Sequence, residues 1–278
     1  LTAQDLRLDR VALGVLGRRW DLVVPAGRTL GAELLDLVGD LVVPTHEPAE
    51  DTWTLRETDG RWQLYRGDAL LLASPDGPGL VVDTLRLLNT VAIDDEDVFA
   101  VHAAVLALDG RAAIVPAVSG TGKTTLCAAA LGAGLTYLTD EAARFPDEEA
   151  TKVVAYPRPL SLLSASQALL GLAPAPVRSQ TEGFYRASLL GNVERGQVDV
   201  TVVVVLDRRP GLPEATRLPR STAAELLLKN SFNHYRDPRG AFLRATAIAA
   251  AAPSWLLGYE DAPAAVPLLA GLLSAPRG

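Results

Sequence analysis

The sequence predicts an α/β protein, in which a phosphate-loop domain built on a mixed sheet (residues 94–278) follows a small α+β domain (residues 1–93). Three observations predict it. Residues 117–124, Ala-Val-Ser-Gly-Thr-Gly-Lys-Thr, fit the pattern Ala/Gly-x-x-x-x-Gly-Lys-Ser/Thr. The apolar run from Arg111 to Ala117 precedes that loop, and the helix-forming run from Thr124 to Leu131 follows it before Gly132 and Gly134. Asp109-Gly110 joins the preceding run, Phe99 to Leu108, to the loop's own strand and signals a two-residue hairpin, so the two strands pair antiparallel.

In the first domain, Arg7 to Val15 and Trp20 to Val24 are strands joined across Gly17-Arg18-Arg19, and Leu30 to Val38 is an amphipathic helix. Thr52 to Glu57, Trp62 to Arg66 and Ala69 to Ala73 are three short strands, with turns at Asp59-Gly60 and Gly67-Asp68. Leu80 to Val91 carries apolar residues at helical spacing, and Asp94-Asp95-Glu96-Asp97 marks the boundary. In the second domain, the strand Leu135 to Thr139 closes on Asp140-Glu141 and returns beside the strand that feeds the loop. Lys152 to Tyr156 is a strand, Leu160 to Leu172 a helix, and Ala173 to Ser188 a mobile loop suited to a lid. The β-branched run Val198 to Leu206 is a central buried strand, Ser221 to Asn230 a helix, and Trp255 to Glu260 a late strand before a terminal helix.

Composition narrows the partners. A net charge of −7 over 278 residues argues against a broad nucleic-acid-binding surface. No apolar run reaches the length of a membrane span, and Asp5, Arg7, Asp9 and Arg10 interrupt any secretory signal, so a cytoplasmic protein is expected. One cysteine, Cys127, excludes an internal disulfide framework. With no methionine, the chain is expected to be trimmed or to have had its methionines replaced.

The candidate site follows from the loop. Gly120 and Gly122 allow positive φ, so the backbone N–H groups of Ala117, Val118, Ser119, Gly120, Thr121, Gly122, Lys123, Thr124 and Thr125 can wrap an oxyanion at a helix start. Lys123 would reach the β/γ-phosphates of ATP, and the Thr124 hydroxyl would sit on Mg²⁺. Asp140-Glu141, sixteen residues after Thr124, ends a strand at the crevice, where carboxylates hold Mg²⁺ or take a proton from a nucleophilic hydroxyl. Arg158 follows a strand that can end nearby, where a guanidinium would stabilise a transferring phosphoryl group; an exposed loop arginine is the other reading. His102 lies on the hairpin strand; His46 and His234 have no motif context.

Together these residues resemble the bacterial HPr kinase/phosphorylase catalytic domain and its relatives. That pattern is a His-Gly-containing strand, a hairpin turn, Gly-x-Ser-Gly-x-Gly-Lys-Ser/Thr, a helix and an Asp-Asp pair, with Ala103 here in place of that Gly and Glu141 in place of the second Asp. It corresponds here to Val101-His102-Ala103-Ala104, Asp109-Gly110, Ala117 to Thr124 with Ser119, and Asp140-Glu141. Ser119 to Leu126 is also similar to the loop of ATP-dependent phosphoenolpyruvate carboxykinase, which shares that fold. The resemblance implies an HPr kinase/phosphoenolpyruvate carboxykinase-like P-loop domain that uses ATP and Mg²⁺ to phosphorylate a hydroxyl. It makes Asp140 the general base and has Glu141 help to hold the metal. The strong match spans Val98 to Glu141, and the family's Arg-Gly-Leu-Gly signature is missing. The implied substrate is therefore a serine in a peptide or protein, as in the peptide-serine kinase relatives, rather than HPr itself. A small-molecule kinase acting on a metabolite hydroxyl and a non-catalytic ATP-binding regulator are the alternatives.

Overall fold

The computed structural model describes residues 8–45, 48–94, 98–118, 120–146, 151–211 and 213–275. It is mixed α/β and divides into two compact units, Leu1–Asp94 with Ser161–Arg186, and Asp95–Leu160 with Ala187–Gly278. The sequence reading kept 161–186 within the second domain. Residues 95–97 of the acidic connection lie outside the described residues.

The first unit begins with β1 (Leu8–Val15) and β2 (Arg18–Pro25), an antiparallel hairpin. It turns at Leu16-Gly17, both with positive φ, rather than across the residues after Gly17. Next come α1 (Thr29–Leu37), β3 (Asp51–Thr58), β4 (Arg61–Arg66), β5 (Ala69–Ser74) and α2 (Gly77–Asp94). The sheet order is β1-β2-β3-β4-β5, with β2 and β3 parallel. Trp20 and Trp53 on those two strands stack at 5.6 Å between ring centroids, both buried with Leu22, Leu55 and Leu64.

The second unit opens with β6 (Ala100–Leu108), β7 (Arg111–Pro116), α3 (Lys123–Gly132), β8 (Thr136–Thr139), β9 (Ala142–Arg144) and β10 (Lys152–Val154). The chain then crosses to the first unit through β11 (Leu160–Leu163), α4 (Ser164–Leu169), β12 (Val177–Arg178) and β13 (Glu182–Tyr185). The single helix expected over 160–172 is therefore a short strand followed by a short helix. The loop expected over 173–188 carries two strands of a three-stranded sheet, β11-β13-β12. Within that unit Arg186 pairs with Asp40 at 3.2 Å and Asp36 at 3.4 Å, and Arg86 pairs with Glu182 at 2.8 Å. These long-range pairs tie the segment to α1, α2 and the turn after α1.

The second unit resumes with β14 (Asn192–Val193), β15 (Gln197–Arg208), β16 (Glu214–Leu218), α5 (Arg220–Lys229), α6 (Pro238–Ala251), β17 (Ser254–Tyr259) and α7 (Ala262–Ser274). Strand β7 is the axis of its sheet, antiparallel to β6 and parallel to β15, which runs parallel to β17. Alternation along β6 and β7 serves both faces. Val101, Ala103, Val105, Ala112 and Ile114 join Ala223, Leu227, Ala245 and Ile248 of α5 and α6 in one core. Ala104, Leu106, Ala113 and Val115, pointing the other way, are also fully buried, on the side where α3 and α7 meet β6. Strand β8 does not return beside β7: it pairs with β6, because β6 and β15 occupy the two edges of β7. Among the described residues no helix is long and apolar enough to cross a membrane.

Candidate functional site

The site lies where β7 ends and α3 begins. Gly120 (φ 83°) and Gly122 (φ 95°) both take the left-handed conformation, which costs a glycine little and other residues more. Gly122 is the N-cap of α3 and offers no side-chain cap, and the helix has no acidic residue in its first turn. That end of the helix therefore presents donors and positive potential. Thr121 Oγ1 donates to the Val118 carbonyl at 2.9 Å, and the Tyr259 hydroxyl from β17 donates to the Thr121 carbonyl at 3.4 Å, which holds the loop's shape. Thr125 follows in the helix's first turn; Ser119 lies outside the described residues.

Lys123 is buried, and its ammonium donates to the carbonyls of Ala117 (2.5 Å) and Val118 (3.0 Å) and to His102 Nε2 (3.0 Å). Burial pulls its pKa below the ordinary lysine value, offset in part by the charges of Glu141 and Asp140. His102 is reached because the β6–β7 register sets it at the end of the hairpin, where its carbonyl accepts from the Ala117 N–H at 3.3 Å. Its Nδ1 lies 3.0 Å from the Glu141 carbonyl and 3.3 Å from Glu141 Oε1. A proton on Nδ1 and a lone pair on Nε2 satisfy all of these contacts. Phe232 packs edge-on against the imidazole at 5.4 Å.

The two carboxylates part ways. Asp140, 3% exposed, accepts from the Thr124 hydroxyl at 2.6 Å and from the Tyr137 hydroxyl at 2.8 Å. Glu141, its side chain 24% exposed, accepts from Arg158 at 2.6 Å and from His102. Burial raises the Glu141 pKa, but the His102 hydrogen bond and the charges of Arg158, His102 and Lys123 outweigh it and leave the carboxyl below its ordinary value. Burial lowers the Arg158 pKa; Asp140 and Glu141 overcome that and raise it, so the guanidinium stays charged. Burial, reinforced by Asp140, pushes the Tyr137 phenol well up and keeps it a donor.

No family model and no curated protein matches the chain. Among solved structures, it is similar to the Hpr(Ser) kinase/phosphatase from Coxiella burnetii. The identity is 16%, the alignment covers 63% of this chain and 92% of that chain, and the TM-score is 0.34.

The structure brings Ala117, Val118, Lys123, Thr124, Asp140, Glu141, His102 and Arg158 into one connected set of contacts, with Arg158 3.9 Å from Asp140 as the link between the two carboxylates. Tyr137 and Tyr259 belong to the same set, though no motif marks them; the only signal is a tyrosine on the strand before the acidic pair and another on the late strand. His234 turns to the Ser231 carbonyl, and His46 lies outside the described residues. Cys127 is buried in α3 with Sγ 4.0 Å from the Thr139 carbonyl. No group of three or more His, Cys, Asp or Glu side chains arranged to hold a metal occurs among the described residues. Thr124 Oγ1 and Asp140 Oδ2 form instead a close pair of hard oxygens, a donor set that fits Mg²⁺, which takes few protein ligands and completes its shell with water and phosphate oxygens.

Proposed function

We propose that this chain is an ATP-dependent kinase of the HPr kinase-like kind, which transfers the γ-phosphoryl group to a serine hydroxyl of a peptide or protein. One observation carries the reading. Lys123, His102, Glu141 and Arg158 form a continuous file of contacts beside a left-handed glycine loop at a helix start. A structural turn needs no such file of charged groups, whereas phosphoryl transfer needs cations around the moving group and a base at the acceptor.

The roles divide by burial and hydrogen bonding. The Thr124 O–H points at Asp140, which leaves its lone pairs for Mg²⁺, so Asp140 sets the metal ligand. Mg²⁺, when bound, neutralises charge on the β- and γ-phosphate oxygens. Asp140 is buried behind Thr124 and Tyr137, whereas Glu141 is partly exposed and open to a substrate hydroxyl. The proposal therefore exchanges the roles that the family resemblance implies, making Glu141 the base and Asp140 the metal-side carboxylate. The serine O–H gives its proton to Glu141 as its oxygen bonds to the γ-phosphorus; the bond to the β–γ bridging oxygen breaks, and ADP keeps that electron pair. Lys123 and Arg158 hold the phosphoryl oxygens, and His102 aligns Lys123 with Glu141.

The test is γ-labelled ATP with Mg²⁺ and two peptides that differ only in Ser or Ala at one position. Label on the serine peptide alone is expected. Label on a small polyol or hydroxy acid instead would transfer the reading to a metabolite kinase, and nucleotide binding without transfer would leave a non-catalytic regulator.

A further inference from the structure

The second unit contains a cavity of about 480 Å³ that the phosphate-loop chemistry does not use. Its walls include Arg111 at the start of β7, Asp199 and Thr201 of β15, Arg217 of β16, Arg220 at the start of α5 and Trp255 of β17. It thus opens at the end of β7 opposite the phosphate loop, about 20 Å away for a strand of this length. The size lies within the range of small-molecule sites, roughly 300–1,000 Å³.

Charge selects the ligand. Three guanidinium groups face one carboxylate, and among the described residues none of the three arginines forms an ion pair. Asp199 is engaged by the Thr151 hydroxyl at 3.5 Å. Arg111 donates to the Ala275 carbonyl, yet its Nε–H is buried without a partner. Helix α5 starts at Arg220 with no side-chain cap and no acidic residue in its first turn, so its positive end adds to the arginines. The register of β15 shifts against β7 between Val200 and Val202, and Thr201 at that irregularity, whose hydroxyl donates to the Ala112 carbonyl at 3.4 Å, also lines the cavity. The balance of three cations to one anion suits a dianion.

The other half of the wall is apolar and includes the Trp255 ring, on which the Arg217 guanidinium stacks at 5.1 Å from the centroid. An aromatic edge beside an arginine cluster suits a planar ring joined to a phosphate. We propose that this cavity is a second anion site, which takes a phosphate monoester bearing a planar ring, of the nucleoside monophosphate class. It stands independently of the kinase reading, since it concerns other residues and binding alone.

The experiment is calorimetric titration of the full chain with AMP, adenosine and ribose 5-phosphate, repeated on Lys123→Ala, Arg217→Gln and Arg220→Gln. Arg217 and Arg220 are exposed, so neither substitution threatens the fold. Expected are saturable AMP binding that Lys123→Ala leaves intact, about tenfold or greater weakening by each arginine substitution, and weaker binding of both partial ligands. AMP should also quench the fluorescence of Trp255, a change that Trp255→Phe removes. Absence of saturable binding, or binding lost in Lys123→Ala and unaltered in both arginine variants, overturns the proposal. Ribose 5-phosphate binding as tightly as AMP overturns the planar-ring class.

Discussion

Strand β7 has a different electrostatic character at each end. Where it enters the phosphate loop, Lys123, Asp140, Glu141 and Arg158 are already paired with one another, with His102 or with hydroxyls and loop carbonyls. Where it begins, Arg111, Arg217 and Arg220 gather without a carboxylate partner among the described residues. A site paired within itself is stable without ligand, and an incoming anion must exchange internal contacts for new ones. A site with unpaired cations gains from any suitable anion but discriminates by shape. The first arrangement suits chemistry, since its groups are held in place before substrate arrives; the second suits simple binding.

Four tests, made with five substitutions at the loop end, sharpen the contrast, taken from the largest effect to the smallest. Lys123→Ala should abolish phosphoryl transfer and weaken MgATP binding, because it removes the ammonium that the proposed mechanism sets on the phosphoryl oxygens; labelled-ATP turnover and nucleotide titration read both. Unchanged affinity and turnover would remove the phosphate-loop assignment. Glu141→Gln should lower kcat by roughly 10²–10⁴, the usual loss for a general base, while Asp140→Asn should chiefly raise the Mg²⁺ concentration needed for half-maximal rate. The opposite pattern would restore the base role to Asp140.

The third concerns pH. Since Glu141 is held below its ordinary carboxyl pKa, it stays ionised as the pH falls, and the acidic limb of the rate profile should lie below the usual carboxylate range. Removing the Arg158 charge in Arg158→Gln removes one of the lowering influences, so that limb should move to higher pH in the variant. A limb that stays put would separate Glu141 from the rate. Smallest is His102→Ala, which should reduce turnover more than it reduces Tm. Lost stability with near-normal activity in the folded fraction would make the histidine structural.

What the sequence made legible was local. The hairpin turn is encoded in two adjacent residues: Asp109 and Gly110 both take positive φ, the pairing this turn requires. The loop's two left-handed glycines and the acidic pair are equally local signals. What stayed hidden depends on partners far along the chain. Leu160–Leu163 could not be told from a helix start, because the strand exists through pairing with β13 rather than through its own pattern. The segment up to Arg186, rich in Pro and Gly, pairs strand to strand, buries Val177 and Phe184, and reaches Asp36, Asp40 and Arg86, which lie 96 to 150 residues away. The position of β8 was hidden for the same reason: the hairpin fills one edge of β7, and β15, far along the chain, fills the other. One signal was present and unused. Asp237-Pro238 is an N-cap followed by proline at the first helical position, and the Asp237 side chain accepts from the Gly240 N–H at the start of α6.

The sole cysteine gives the protein a built-in clock. Cys127 sits in α3 four residues after Lys123, buried with its Sγ against the Thr139 carbonyl of β8, so a thiol reagent reaches it only when the packing around that helix opens. The rate of labelling therefore reports every opening that exposes α3, with no other cysteine to confuse the signal. A ligand that ties the loop to the start of α3 should slow that clock, whether or not any phosphoryl group is ever transferred.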